Sequence, residues 1–550
     1  MASPAPSPTK ASLMLDIADL QEQLVSKSRQ LNSFSPICGQ KFQDILPSIF
    51  WFLSPDGELT HPLHKASTTG PTDDLRHASQ VCHAWRKLAL DSSSLWGARL
   101  DCNRESVLWL LELIRRSKGR PVNIVAFFGN SPIQSVASSS GSGSLSRIIP
   151  KLTAVSSIAV YISSLSPNSH PDQYSTFRKL LCSKILINGA TVSICEGFDS
   201  FYAIPPLQVK PRSMTLFGAT ANLTLSCFDQ LHSLSLARSA ALRSADDLIA
   251  TLRHLTVLTH LRLERALDRP NVYLTTPPEL RLSYLQSLTL IDELNNGIGY
   301  FLASIVSHRP YTLNLECEVV PPCTEHELSS LMQGIKKWSA VWIQSPSVTT
   351  LNKTIHIISS RRKLSIKNPT WLYDYSFSLT LRWKMRTSSR DMWRIESNLM
   401  QAMRPVLQHT IQLHVTPDWK SKAVCPTTFW EVFPSLRILR FNNHPQEKSE
   451  NEGLLVFLRA LVNDFERYPE NPFRHLQTIS VEGVCSSTSA ENLVATNLAV
   501  LVELGSNEGN LSELQIYRSC HTIGDTLKWR LGRTITVTVL NDGSAPRFGV

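Results

Sequence analysis

The chain has 550 residues, of which 42% are hydrophobic, 18% are charged and 11 are cysteine, and it carries a formal net charge of +10. That length suits several domains or one extended repeat array, and the ordinary apolar fraction supplies a sizeable core. Acids are interspersed with the basic residues, so the basic excess designates no acidic partner. The runs Arg115-Arg116-Ser117-Lys118-Gly119-Arg120 and Arg361-Arg362-Lys363 read as solvated surface or a helix C-terminus rather than a nucleic-acid groove reader.

The cysteines form no C-x-x-C pair, and Cys317, Cys323 and His326 make only a loose cluster. They read as isolated buried thiols in a reducing compartment, with no metal and no cofactor expected. The start Met1-Ala2-Ser3-Pro4 is no secretory signal, and no apolar run approaches the ~18 residues needed to span a bilayer. The expectation is an intracellular protein, cytoplasmic or nuclear, with no membrane partner.

Residues 1–34 read as a Pro- and Ser-rich start followed by a short amphipathic, coiled-coil-like helix. Leu13, Ile17, Leu20, Leu24 and Leu31 follow a heptad stripe interrupted by Lys27. The helix is expected to pair weakly or to fold back on the next segment. Asp44-Ile45-Leu46-Pro47-Ser48-Ile49-Phe50-Trp51-Phe52-Leu53 reads as an apolar helix, with Pro47 tolerated in its first turn. Pro55, Gly57, Pro62, Gly70 and Pro71 make residues 54–72 a surface loop.

The most telling stretch runs from Ser79 to Trp96. Ala78, Val81, Cys82, Trp85, Leu88 and Ala89 recur at helical spacing, Arg86 and Lys87 fall on the opposite face, and a serine turn leads to Leu95-Trp96. The pattern S-Q-V-C-x-x-W-R-x-L-A-L-x-x-x-x-L-W resembles the second half of the F-box of a large class of fungal, basidiomycete-type F-box proteins. Residues 44–53 resemble its first helix, with Ile45, Leu46, Ile49, Phe50 and Leu53 at the apolar positions and Lys41-Phe42-Gln43 where the family carries Leu-Pro. Ser35-Pro36-Ile37 matches the end of the preceding helix in such proteins. The resemblance implies a small all-α F-box domain over 35–100. Its core and adaptor-binding residues would be Ile45, Leu46, Ile49, Phe50, Val81, Cys82, Trp85, Leu88, Leu95 and Trp96, docking a Skp-type adaptor and through it a cullin.

Residues 101–130 read as a connecting helix, capped by Asn103 and ended by Gly119 and Pro121, and a first strand at 122–128. Residues 131–149 read as a Ser/Gly-rich loop. In 150–541, Leu231-His232-Ser233-Leu234-Ser235-Leu236 begins a pattern L-x-x-L-x-L that returns at Leu258 and Leu285, 27 residues apart both times. A period of about 20–29 residues with that motif is the leucine-rich-repeat signature of one strand and one return helix. Leu248, Ile249, Leu252 and Leu255 have the spacing of the return segment. Ser239, Ala266 and Glu293 stand where the Asn or Cys that ties successive turns belongs, which predicts an irregular coil. Looser units start at Leu436, Leu476 and Leu511, further strands are expected at 377–381 and 411–415, an edge strand at 534–539, and a tail at 542–550.

The expected fold is thus an α/β repeat, an irregular leucine-rich-repeat solenoid, preceded by an all-α F-box domain and an amphipathic helix. No phosphate-cradling loop, His-Glu-x-x-His or Gly-x-Ser-x-Gly is present, so a non-catalytic protein is expected. The resemblance implies a substrate receptor of a Skp–cullin–F-box ubiquitin ligase, holding a target protein on the repeat domain. Two alternatives stay open: a non-ligase scaffold whose F-box no longer recruits the adaptor, motivated by the absent Leu-Pro, and a nucleic-acid-associated repeat protein, motivated by the basic balance and marked by steep salt dependence.

Overall fold

The computed structural model describes residues 10–33, 48–49, 76–77, 79–98, 100–103, 105–129, 141–163, 171–196, 207–218, 223–238, 244–267, 277–319, 325–344, 354–360, 363–368, 377–383, 389–418, 429–442, 455, 458–459, 462, 475–482, 488–508, 510–517, 527–528, 530–531 and 535–540. The chain divides into two compact units, residues 1–227 and 228–550. Both are α/β, and both are built on parallel strands.

The first unit opens with the long helix α1 (Lys10–Ser33). Helices α2 (His83–Asp91) and α3 (Ser93–Gly97) follow, joined through Ser92. Then come β1 (Leu100–Asp101), α4 (Val107–Arg116), β2 (Val122–Gly129), α5 (Gly141–Ile148), β3 (Val155–Ser163), α6 (Pro171–Leu181), β4 (Leu186–Glu196) and β5 (Ser213–Phe217). These five strands pair parallel in chain order, with Ile124 beside Ile158, Ile158 beside Val192 and Val192 beside Met214. Parallel pairing therefore starts at Leu100, upstream of residue 150. Leu110, Leu113, Leu145, Phe177 and Leu181 on the helices are buried with the inward strand residues, and Phe128 meets Phe177 edge to face at 5.6 Å.

Two local expectations are corrected here. The cap of α4 is Ser106, whose hydroxyl accepts from the Trp109 amide at 3.3 Å, and not Asn103. Asn103 is held one turn earlier, because its own amide donates to the Asp101 carboxylate at 3.1 Å in a side-chain-closed turn. The second correction lies in the expected loop 131–149, where residues 141–148 form α5. Glycine and serine are weak helix formers, but Ser144, Leu145 and Ile148 are buried, and that tertiary packing overrides propensity.

The second unit runs β6 (Ser233–Ala237), α7 (Ala245–Leu252), β7 (His260–Glu264), β8 (Leu280–Arg281), β9 (Ser287–Glu293), α8 (Asn296–Ser304), β10 (Ile305–Val306), β11 (Thr312–Val319) and α9 (Glu325–Ile343). It continues through β12 (Thr354–Ser360), β13 (Lys363–Asn368), β14 (Phe377–Trp383), α10 (Ser389–Leu407), β15 (Gln412–Asp418), α11 (Phe429–Val432), β16 (Ile438–Asn442), β17 (Thr478–Glu482), α12 (Thr488–Glu508), β18 (Glu513–Tyr517) and β19 (Thr536–Leu540). Strands β6, β7, β9 and β11 pair parallel in that order, as do β15 to β19. The middle departs from simple succession. There β14 lies parallel beside β11, and β13, antiparallel to both neighbours, joins β14 to β12, which lies parallel beside β15.

The period seen in the sequence is carried into the backbone. Leu234 pairs with Leu261 and Leu261 with Leu288. The Thr259 hydroxyl donates to the His232 carbonyl, 27 residues away, at 2.9 Å. The Gln286 amide donates to the Thr259 carbonyl at 2.8 Å. At the end of β6 and of β7, Arg238 and Arg265 both take left-handed backbone conformations, each at φ 48°. Each donates its amide across to the next strand, to the carbonyls of Glu264 and Ile291.

Behind β11 and β14, Trp338 and Trp342 of α9 form an aromatic cluster with Phe377. Both indole N–H groups donate to the Tyr311 carbonyl, at 3.4 and 3.0 Å. Helix α9 approaches α8 closely at Gly299 and Gly334, and the Lys337 ammonium donates to the Ala303 carbonyl at the end of α8.

Candidate functional site

The ten positions named from the F-box resemblance separate by burial. Ile45, Leu46 and Phe50 lie outside the described residues. Leu95 and Trp96 are buried, Trp96 to 1% exposure. Helix α2 starts at His83, so the expected helical face does not extend back through Val81 and Cys82: Cys82 is the half-buried cap, Val81 before it is 61% exposed, Trp85 and Leu88 are half-buried on α2, and Ile49 is exposed. Cys82 also has a local role: its sulfur caps α2, accepting from the Trp85 amide at 3.5 Å.

Trp96 is the anchor of this segment. Its indole N–H donates to the Ala89 carbonyl at 2.7 Å, satisfying one of the carbonyls that the last turn of α2 leaves without an intrahelical partner. Its ring meets Trp109 of α4 edge to face at 6.5 Å and 89°. The Arg116 guanidinium sits 4.5 Å from the Trp96 ring centre and 5.1 Å from that of Trp109. Arg115, Lys118 and Arg120 are exposed and Arg115 and Arg116 close the last turn of α4, as expected of the run, but Arg116 is also a cation–π partner of two rings, with 22% side-chain exposure against 73% for Arg115. Glu112 orients both, accepting from Arg115 and Arg116 at 2.7 Å, and these hydrogen bonds hold its carboxyl down to about 2. The signal for Arg116 was present in the sequence, since Trp109 and Arg116 lie two helical turns apart on one face.

A second candidate surface lies in the second unit, on the strand face opposite the buried leucines. Along β7 it presents His260, Arg262 and Glu264, and along β11 Thr312, Asn314, Glu316 and Glu318. Arg262 pairs with Glu264 at 3.0 Å and Arg382 with Glu316 at 2.8 Å. Near the C-terminal end the same face is a connected polar ladder. Ser480 donates to the Gln515 side-chain oxygen at 3.3 Å, Tyr517 donates to the same oxygen at 2.9 Å, and the Gln515 amide donates to Glu513 at 2.9 Å. Where β13 joins in, Ser365 and Thr380 are buried and share a hydrogen bond of 3.0 Å.

The tie between successive turns comes from Asp292 and Asn295 rather than from position 293. The Asp292 carboxylate accepts from the Leu267 amide at 3.1 Å and the Glu293 amide at 2.8 Å. Asn295 donates to the Leu267 carbonyl at 2.9 Å while its oxygen caps α8 at the Ile298 amide. β9 runs on to Glu293, and the alternation that buries Leu288 and Leu290 places Asp292 on their side. Burial pushes its carboxyl up to about 6, against the opposing pull of the backbone N–H groups. A folded-state value above the unfolded 3.8 means that stability is full below that pH and is lost as pH rises through 6. The loss is on the order of 3 kcal/mol at most. Asp292→Asn is expected to flatten the melting temperature between about pH 4 and pH 7 relative to the parent. Parallel thermal melts with identical pH slopes would contradict this.

Cys317 is buried in β11, and burial raises its thiol far above the ordinary range, while Cys323 lies outside the described residues. Among the described residues no three His, Cys, Asp or Glu side chains gather as a metal site, and no helix is long and apolar enough to cross a membrane. No family model and no curated protein matches the chain. Among solved structures, a structural-genomics protein from Bacteroides fragilis is 9% identical over 78% of this chain and 76% of its own, at a TM-score of 0.17, a likeness too slight to bear on fold or function.

Proposed function

We propose that this chain is a non-catalytic, F-box-type substrate receptor of a Skp–cullin–F-box ubiquitin ligase. The α2–α3 segment docks a Skp-type adaptor, and through it a cullin. An irregular leucine-rich-repeat solenoid offers its polar strand face to a target protein. Catalysis is by proximity: the ligase raises the effective concentration of target lysines near a ubiquitin-conjugating enzyme.

The observation that carries this reading is the division of labour on the Ser79–Trp96 motif. Leu95 and Trp96 are spent on the interior, while Val81 just before α2 is exposed and Trp85 and Leu88 on it stay half-exposed, the arrangement a docking segment would present. The 27-residue offset of the hydrogen bonds between strands supports the repeat reading of the second unit.

Co-expression of the full chain with a fungal Skp-type adaptor, followed by size-exclusion chromatography, tests the reading. A one-to-one complex is expected, weakened by Val81→Asp with the melting behaviour unchanged, because Val81 is already exposed. A folded chain that passes the adaptor by would instead make it a non-ligase scaffold.

A further inference from the structure

Helix α1 turns its most apolar stripe to solvent. Leu13, Ile17, Leu20, Leu24 and Leu31 are between 48% and 73% exposed. In heptad terms Ile17, Leu24 and Leu31 occupy position a, and Leu13, Leu20 and Lys27 occupy position d. Of the charged residues from Leu13 onward, Lys27 lies in the stripe and Asp16 flanks it at position g, whereas Asp19 at c and Glu22 and Arg29 at f lie away from it.

From this pattern we infer that the stripe is covered by α1 of a second copy of the chain, running antiparallel. A parallel, in-register pair sets Lys27 against Lys27 in one layer, which is repulsive. An antiparallel pair turned about Glu22 removes that conflict. Each d position then meets an a position: Leu13 faces Leu31 of the second copy, Leu20 faces Leu24, and Ile17 faces Lys27. The aliphatic stem of Lys27 covers Ile17 while its ammonium leaves the seam beside Asp16 of the second copy. The two-fold axis repeats the pairing at the other end. The flanking residues Gln21, Gln23, Ser28 and Gln30 are uncharged and oppose nothing. Leu15 and Val25 lie off the seam. With two and a half heptads the pairing is reversible and depends on concentration.

Sedimentation velocity of the full chain across the micromolar range tests this. The wild-type mass is expected to rise from 61.6 kDa toward twice that value with concentration. Lys27→Leu is expected to move the midpoint to lower concentration, since it completes the apolar seam. Lys27→Glu sets acid beside Asp16 of the second copy and is expected to raise the midpoint by about threefold to tenfold. Adding Asp16→Lys to Lys27→Glu restores opposite charges in the antiparallel arrangement alone, since a parallel pair still sets the new acid against its own copy, and is expected to recover the wild-type midpoint. These side chains are exposed, so the substitutions leave the fold intact. Monomers at every concentration for both the wild type and Lys27→Leu would overturn the inference. So would a dimer that survives Leu20→Asp with Leu24→Asp, or a Lys27→Glu, Asp16→Lys variant that fails to recover.

Discussion

Trp96→Ala is expected to melt the helical segment α2–α4 out of the first unit and, on the proposed function, to abolish adaptor binding with it. Truncating a fully buried tryptophan costs about 3–5 kcal/mol in lost transfer energy and residual cavity. Here three further losses add to that figure. The Ala89 carbonyl at the end of α2 loses its donor, Trp109 loses its edge-to-face neighbour, and Arg116 loses one of its two rings. Trp96→Phe keeps an aromatic body and forfeits the indole N–H, so its cost is smaller, on the order of 1 kcal/mol plus a small void. Hydrogen exchange of peptides covering residues 79–116 separates the cases: loss of protection in Trp96→Ala, partial loss in Trp96→Phe. Unchanged protection in Trp96→Ala would mean that Trp96 does not hold the segment. Trp85→Ala is expected to behave differently, because Trp85 is half-buried and its truncation opens no closed cavity. On the proposed function, its larger effect falls on the adaptor complex.

What was legible in the sequence is what local periodicity encodes. The strands β6, β7 and β9 were expected from L-x-x-L-x-L and observed at Ser233–Ala237, His260–Glu264 and Ser287–Glu293, since alternation fixes which residues of a strand face the interior. The return helix α7 was visible for the same reason, with Leu248, Ile249 and Leu252 buried. Pairing between distant strands has no such local trace. Nothing in residues 354–383 announces that β14 would take the place beside β11 and leave β12 and β13 to bridge to β15. Composition also misleads where burial decides, as with Leu145 and Ile148 inside a Gly/Ser-rich stretch. At the α2–α4 segment the residue types were readable and their division of labour was not. Trp85 and Trp96 look alike in the sequence, and only the position of the α4 rings and Arg116 makes one of them the anchor. Arg116 was read with the basic run around it although its spacing from Trp109 was visible, and Asp292 was missed because β9 extends past its last leucine.

Gly299→Ala is expected to drive α8 and α9 apart and to destabilise the second unit by roughly 2–4 kcal/mol net. A methyl group at Gly299 would sit 2.3 Å from the Leu331 backbone nitrogen and 2.3 Å from the Ser330 carbonyl carbon. These are main-chain atoms of the facing helix, so no side chain can swing aside, and relief requires a rigid shift of α9. Overpacking ordinarily costs about 1–3 kcal/mol, and backbone obstruction places this site at or beyond the upper end. Alanine returns only about 1 kcal/mol through its better helix propensity. The shift also reaches the sheet, because α9 carries Trp338 and Trp342, whose indoles hold the Tyr311 carbonyl and enclose Phe377. Gly334 is the internal control. A methyl there would meet the Gly299 carbonyl oxygen and the Leu302 Cβ at 2.9 Å, a conflict that a smaller adjustment relieves. Gly334→Ala is therefore expected to cost less than Gly299→Ala, and the propensity gain offsets part of it. Thermal melts together with hydrogen exchange over residues 296–343 read the comparison. A Gly299→Ala chain as stable as its parent, or more stable than Gly334→Ala, would show that the two helices are not held at backbone contact. In that event the aromatic cluster, with the hydrogen bonds of Lys337 to Ala303 and of Ser339 to Ala402, would set the position of α9 behind β11 and β14.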